Sequence, residues 1–228
     1  MSNSAPARTT RFVKASLSDQ AYEDLKRQIL DQRLPPGTRL NIDALAREFG
    51  ISSSPLREAL VRLSSDGLVI SNANSGFFVA PVPSPEQVRE LMEYRTMIEA
   101  HCARQGAGRI SGLMLEAMKN AVRRMSDMRK RGIDYRQYRN YVELDSAFHQ
   151  LIVDSAGNAT ISKAFHDLHL ILMVARLTVV PNSDTVGSDA GMAEHIAILQ
   201  AFADRDGARA EAAIRAHLTA AQDRLQLP

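Results

Sequence analysis

The sequence predicts a mainly α-helical chain of two parts: a small amino-terminal unit of three helices closed by a β-hairpin, then an all-helical antiparallel bundle. Three observations carry this expectation. Apolar residues recur at spacings of three and four along most of the 228 residues. Strand-like runs are confined to residues 68–80, on either side of a polar turn. Pro81, Pro83 and Pro85 alternate with Val82 and Ser84, so that 81–85 reads as a stiff extended junction between the parts. The length accommodates two modest domains, and 45% hydrophobic with 24% charged residues is the mixture of a packed globular protein.

Residues 1–16 are rich in Ser, Ala, Thr and Pro and carry Arg8, Arg11 and Lys14 without an acid, which predicts a disordered basic arm. From Leu17 a helix begins, with Ser18 as its cap and Ala21, Tyr22, Leu25, Ile29 and Leu30 on one face. Pro35, Pro36 and Gly37 stop it, because two prolines and a glycine cannot continue the hydrogen-bond ladder. A second helix is expected from Asn41 to Phe49, with Ile42, Leu45, Ala46 and Phe49 inward and Gly50 as its C-terminal break. The third opens at Ser52-Ser53-Ser54-Pro55, buries Leu56, Ala59, Leu60 and Leu63, and closes near Asp66-Gly67. Strand, turn and strand follow through Ala80. Residues 17–80 thus form the first domain and 86–225 the helical second.

Two short helices around a glycine turn, the second opening on small polar residues, describe a helix-turn-helix, and the hairpin behind it is a wing. The winged helix-turn-helix has a physical logic for DNA. Free backbone N–H groups and the hydroxyls of Ser52, Ser53 and Ser54 suit phosphate oxygens, and Arg57, one turn on, reaches a guanine edge or a phosphate. Gly76 at the wing tip lets backbone approach the minor groove. The same residues taken alone also fit serines that only cap a helix and a solvated arginine. Charge adds little: residues 1–80 hold ten Lys or Arg against eight Asp or Glu, and the remainder is balanced.

The second part contains a candidate metal site. Asp145 and His149 are four apart on a helix whose Leu144, Phe148, Leu151 and Ile152 share a face, so carboxylate and imidazole project from neighbouring turns. Further on, a turn at Asp204–Gly207, with Asp206 capping the next helix, separates His195 and His217. Each lies eleven residues from Asp206, so in an antiparallel pair both stand at one height, about 16 Å from the turn. Three imidazoles and a carboxylate suit a divalent transition metal, zinc first, then manganese, nickel or iron. An ordinary Asp–His hydrogen bond and two surface histidines fit the spacing as well. Arg176 is a lone charge in the apolar run "ILMVARLTVV", where a cation is usually paired or functional. Cys102 reads as a buried thiol, Asn158 as a cap or turn residue, and His101, His166 and His169 as ordinary.

The segments "PPGTRL", "LAREFGISSSPLREALVRLSSDGLV" and "GFFV" resemble the DNA-binding domain of the GntR family of bacterial regulators. Residues 86–225, with "D-x-x-F-H", "E-H-x-x-I-L-x-A" and a late "H-L", resemble the FCD domain of its FadR-like subfamily. The resemblance implies that Arg57 contacts DNA, that Gly76 lies in or near the minor groove, and that Asp145, His149, His195 and His217 hold a metal. It also implies a small carboxylate effector near that metal, with Arg95 of an "R-x-x-x-E" helix lining the cavity; an ion pair of Arg95 with Glu99 is the simpler reading. A homodimer on a palindromic operator follows from the same likeness. Ser53 and Asp43 stand where relatives carry arginine, which implies an altered operator preference and a weaker affinity per half-site, the latter offset in part by the basic arm. A metal sensor, or a metal-dependent hydrolytic enzyme, would use the same four ligands. No apolar run reaches membrane-span length, and neither that nor a signal peptide is expected of this cytoplasmic reading.

Overall fold

A computed structural model describes residues 16–73, 75–130, 135–168 and 188–224. The first unit contains α1 (Leu17–Leu30), β1 (Arg39–Leu40), α2 (Ile42–Phe49), α3 (Ser53–Ser65), β2 (Val69–Asn72) and β3 (Gly76–Val79). The second contains α4 (Pro85–Gly106), α5 (Gly112–Lys130), α6 (Tyr135–Asp154), α7 (159–168), α8 (Asp189–Ala203) and α9 (Gly207–Arg224). The mainly helical fold with a small antiparallel sheet is the one expected. Arg8, Arg11, Lys14, His169 and Arg176 lie outside the described residues.

α1 is capped by Ser16 and not by Ser18. The Ser16 hydroxyl accepts from the Asp19 amide, and the Asp19 carboxylate accepts in return from the Ser16 amide. Such a reciprocal box needs an acid three residues on, which Ser16 has and Ser18, facing Ala21, does not. Leu25, Leu56, Ala59, Leu60 and Leu63 are fully buried where α1 meets α3. Across the same contact the Tyr22 hydroxyl donates to Asp66 at 2.5 Å, and the Arg62 guanidinium lies 4.3 Å from the Tyr22 ring while pairing with Asp19. These polar ties fix the angle at which α3 leaves the core. Gly50, with φ of 64°, caps α2.

The sheet runs β1-β3-β2, all antiparallel, with Val69 opposite Val79 and Asn72 opposite Gly76. β1 was not legible in the sequence, because two residues carry no alternation. It exists because Arg39 and Leu40 pair with Phe78 and Phe77 of β3. Gly76 has φ of +88°, a conformation that an L side chain resists, and it turns the chain into β3.

The extended junction is one residue shorter than expected, since α4 starts at Pro85. Ser84 caps it in a box with Gln87, and proline's fixed φ and missing N–H suit the first helical turn. α4 packs along α9 and α6, α5 lies against α6 and α8, and α8 and α9 form a hairpin in which Asp206 accepts from the Arg209 amide as foreseen. Met92, Met118, Met125, Phe148, Ile198, Phe202 and Ile214 fill the centre. Cys102 is buried beside Val153 and Phe165, and Asn158 caps α7 through the Thr160 and Ile161 amides. Arg139 of α6 joins the two units by an ion pair to Asp31 at the end of α1, at 2.5 Å.

Gly106, the last residue of α4, lies directly against Ser155 just past the end of α6. A Cβ there would lie 1.8 Å from Ser155 Oγ and 2.8 Å from the Ser155 carbonyl carbon. Gly106→Ala is therefore expected to lower stability by about 1 to 3 kcal/mol, read from denaturant unfolding. An unchanged midpoint would contradict this packing.

Candidate metal centre

Four helices deliver the polar residues in the bundle's interior. α6 supplies Asp145 and His149, one turn apart, because Phe148 and Ile152 bury the same side of that helix completely. α8 supplies His195 and α9 supplies His217, brought level by the hairpin as the count from Asp206 required. The His195 and His217 ring centroids are 4.6 Å apart, and His149 lies 5.8 and 5.1 Å from them. One nitrogen from each of the three rings falls within 4.8 Å of the others. Asp145 faces the same group, with Oδ1 at 3.1 Å from His195 Nε2 and Oδ2 at 3.9 Å from His149 Nε2. The structure thus brings together all four residues singled out in the sequence.

All four are buried, and three of their nitrogens lack a hydrogen-bond partner: His149 Nε2 and both ring nitrogens of His195. Buried polar atoms left unsatisfied cost roughly 1 to 3 kcal/mol each. A cation placed among them would satisfy lone pairs that no side chain reaches. The donor set, imidazole nitrogen with one carboxylate, is that of zinc and neighbouring divalent metals. The residues present fit such an ion.

Two glutamates complete the cluster. Glu99 of α4, fully buried, accepts from His149 Nδ1 at 2.5 Å and from Arg95 Nε at 2.6 Å. Glu194 of α8 accepts from His217 Nδ1 at 2.8 Å and from both terminal nitrogens of Arg224. Burial alone would raise Glu99, but Arg95 and His149 outweigh it and hold the carboxyl at about 2. At Glu194 burial is likewise overcome, by hydrogen bonds from Arg224 and His217, and the value is again about 2. Burial drives the imidazoles the other way. His149 is lowered despite Glu99, and His217 falls to about 3 despite Glu194. Both rings are consequently neutral near pH 7, the form that binds metal.

Arg95 pairs with Glu99, the simpler of its two expected roles, yet its Nη2 is buried without a partner. Sequence reasoning did not connect Glu99 to His149, since nothing in one chain aligns α4 with α6. Glu194 was within reach: twelve residues before Asp206, it stands at nearly the height of His217.

In the amino-terminal unit, Ser52 is the N-cap of α3 but makes no side-chain capping bond, and Ser53 and Ser54 form the first turn. Arg57 is exposed and shares a shallow surface cleft with Ser18 and Ser54. Gly76 stands at the hairpin's end with open space around it. Asp43 is exposed on α2, and His101 and His166 are exposed as well. Among the described residues no helix is long and apolar enough to cross a membrane.

Residues 17–79 match the family described as bacterial regulatory proteins, gntR family, and residues 90–220 match the FCD domain. The HTH-type transcriptional repressor RspR of Escherichia coli K12 is 27% identical over 202 residues, 89% of this chain and 86% of its own. The HTH-type transcriptional regulator LutR of Bacillus subtilis 168 is 29% identical over 86% of this chain and 94% of its own. Among solved structures, E. coli McbR/YncC superposes with a TM-score of 0.75 at 20% identity, covering 93% of this chain and 98% of that one. A regulator from Rhodococcus sp. RHA1 gives the same figures. RspR and LutR are thus both named as HTH-type transcriptional regulators.

The lowered acid and imidazole groups make stability depend on pH in one direction. As pH falls below the ordinary histidine value of 6.5, the unfolded chain takes up protons that His149 and His217 refuse, and stability declines, for His217 down to about 3. Below the ordinary glutamate value of 4.5, Glu99 and Glu194 add a second loss that continues to about 2. Denaturant unfolding of metal-free protein at about pH 7, 5 and 4 should show a progressive fall. A flat profile would contradict the burial of these groups.

Proposed function

From the premise that the chain belongs to the gntR family of bacterial regulatory proteins and carries its FCD domain, and is thus a DNA-binding transcription regulator, we propose that its DNA binding is controlled at the buried histidine cluster. Asp145, His149, His195 and His217 hold one divalent transition metal, zinc first among the candidates. The observation that carries this reading is the set of buried imidazole nitrogens on His149 and His195 without a hydrogen-bond donor, gathered with His217 beside the Asp145 carboxylate. Such an ion supplies a Lewis-acidic anchor for an anionic group. A small carboxylate effector is the matching ligand, and the unpartnered Nη2 of Arg95 is a donor beside the cluster for its second oxygen. Arg176 is proposed for the same pocket on its sequence setting alone.

Ser52, Ser53, Ser54 and Arg57 are the residues proposed to read DNA, with Gly76 at the minor groove. Exposure of Arg57 on the first turns of α3 supports this. Two such heads in a homodimer match a palindromic operator, whose half-sites lie about one helical turn apart. The repressor name of RspR supports negative control. The link between control and reading is mechanical. α6 bears Asp145 and His149, and the same helix holds α1 through Arg139 and Asp31. An effector that favours one placement of α6 biases the head, and DNA that favours the other weakens the effector by the same factor.

Two measurements test the reading. Arg57→Ala is expected to cost operator binding about 1 to 3 kcal/mol in a fluorescence anisotropy titration at fixed salt, and unaltered affinity removes Arg57 from the interface. His149→Ala with His195→Ala is expected to abolish stoichiometric zinc binding and with it the response of operator affinity to small carboxylates. Retention of one zinc per chain in that double variant refutes the site. Operator affinity that follows free zinc and ignores carboxylates makes the ion itself the signal.

A further inference from the structure

The three histidines are not equivalent. His149 and His217 each have Nδ1 against a glutamate, and each glutamate is held by an arginine: Arg95–Glu99–His149 at 2.6 and 2.5 Å, and Arg224–Glu194–His217 at 2.7 and 2.8 Å. Two chains of the same composition, built from different helices, therefore end on the same ring atom. A carboxylate with two arginine- or imidazole-facing oxygens can only accept, so Nδ1 must carry the proton and the lone pair of a neutral ring resides on Nε2. The rings of His149 and His217 stack at 5.1 Å and 19°. His195 has no glutamate behind it and makes no hydrogen bond at either nitrogen; its Nε2 faces Asp145 Oδ1 at 3.1 Å, and its ring lies edge-on to Phe148 at 5.2 Å.

We propose that Glu99 and Glu194 are positioning residues that lock His149 and His217 in the Nδ1–H tautomer, presetting two metal ligands through Nε2, while His195 is the ligand whose tautomer and tilt adjust to the occupant. The proposal rests on the metal reading above and deepens it. Its chemistry explains why arginines accompany a metal site that would itself repel them. Each arginine balances a glutamate charge, so that the glutamates can orient imidazoles without becoming ligands or adding net negative charge at the centre. The roles of Arg95 are then divided, with Nε on Glu99 and Nη2 available to an anion.

Glutamine is the informative substitution. An amide offers one acceptor and one donor. At Glu99, where Oε1 serves Arg95 and Oε2 serves His149, an amide oxygen kept on the arginine turns the NH2 to the imidazole and demands the opposite tautomer. At Glu194, partly exposed at 21%, Arg224 meets both oxygens, so Glu194→Ala, which removes the acceptor outright and is least exposed to misfolding, is the second variant. The full chain is labelled with 15N-histidine and its imidazole nitrogens are read by NMR without metal, then zinc alone is titrated by competition with a chromophoric chelator.

In the metal-free wild type, His149 and His217 should show a protonated Nδ1 and a bare Nε2. Glu99→Gln should shift His149 toward the other tautomer, leave His217 as it was, and weaken zinc binding about 10- to 100-fold at unchanged stoichiometry. Glu194→Ala should release His217 to a mixture of tautomers, leave His149 as it was, and weaken zinc binding about as much. Wild-type rings protonated on Nε2 overturn the proposal even if zinc binds. So does a Glu99→Gln or Glu194→Ala protein with unchanged tautomers and unchanged zinc affinity. A wild type with the stated tautomers and no stoichiometric zinc overturns the metal reading, and the ligand roles built on it, while the hydrogen-bond chains stand.

Discussion

Placing three imidazoles and three carboxylates, Asp145, Glu99 and the half-buried Glu194, in an apolar helical bundle is the constraint on which the rest of the second domain depends. Isolated charges cannot be buried there at tolerable cost. Glu99 is matched by Arg95 and Glu194 by Arg224, and burial keeps His149 and His217 neutral. Those pairings leave ring nitrogens of His149 and His195 without partners near Asp145. These imidazole nitrogens, gathered on one carboxylate, are the strongest physical statement the site makes about its occupant.

The architecture follows from holding that interior in place. Four helices must meet at one level, and each is registered by a local device. Ser84, Gln87 and Pro85 start α4, Gly106 brings α4 onto α6 at Ser155, and Asp206 sets the hairpin that levels His195 with His217. The first domain is registered differently, by Tyr22 and Arg62 across α1 and α3, which orient the exposed first turn of α3. Arg139 and Asp31 are where the two designs touch. A shift of α6 at the cluster therefore has a short mechanical route to the helix that supports the reading head.

Much of this was legible in the sequence, and for identifiable reasons. Apolar periodicity located α1 to α3 and their inward residues, because a short helix on a small core has one face to bury. The i, i+4 pair on α6 and the equal counts around Asp206 found the histidines, because helix geometry converts sequence distance into height. What was missed depends on partners distant in sequence. β1 exists through Phe77 and Phe78, and Glu99 meets His149 fifty residues away. The choice of Ser16 over Ser18 as cap turned on Asp19, a local signal that the hydrophobic pattern does not weigh.

The central claim is that a metal ion occupies the space among Asp145, His149, His195 and His217. Anomalous diffraction from crystals of the full chain grown with equimolar zinc, collected on both sides of the zinc edge, tests it most directly. The account predicts one peak per chain within bonding distance of all four residues. A peak confined to surface histidines such as His101 or His166, with the buried cluster bare, would contradict it.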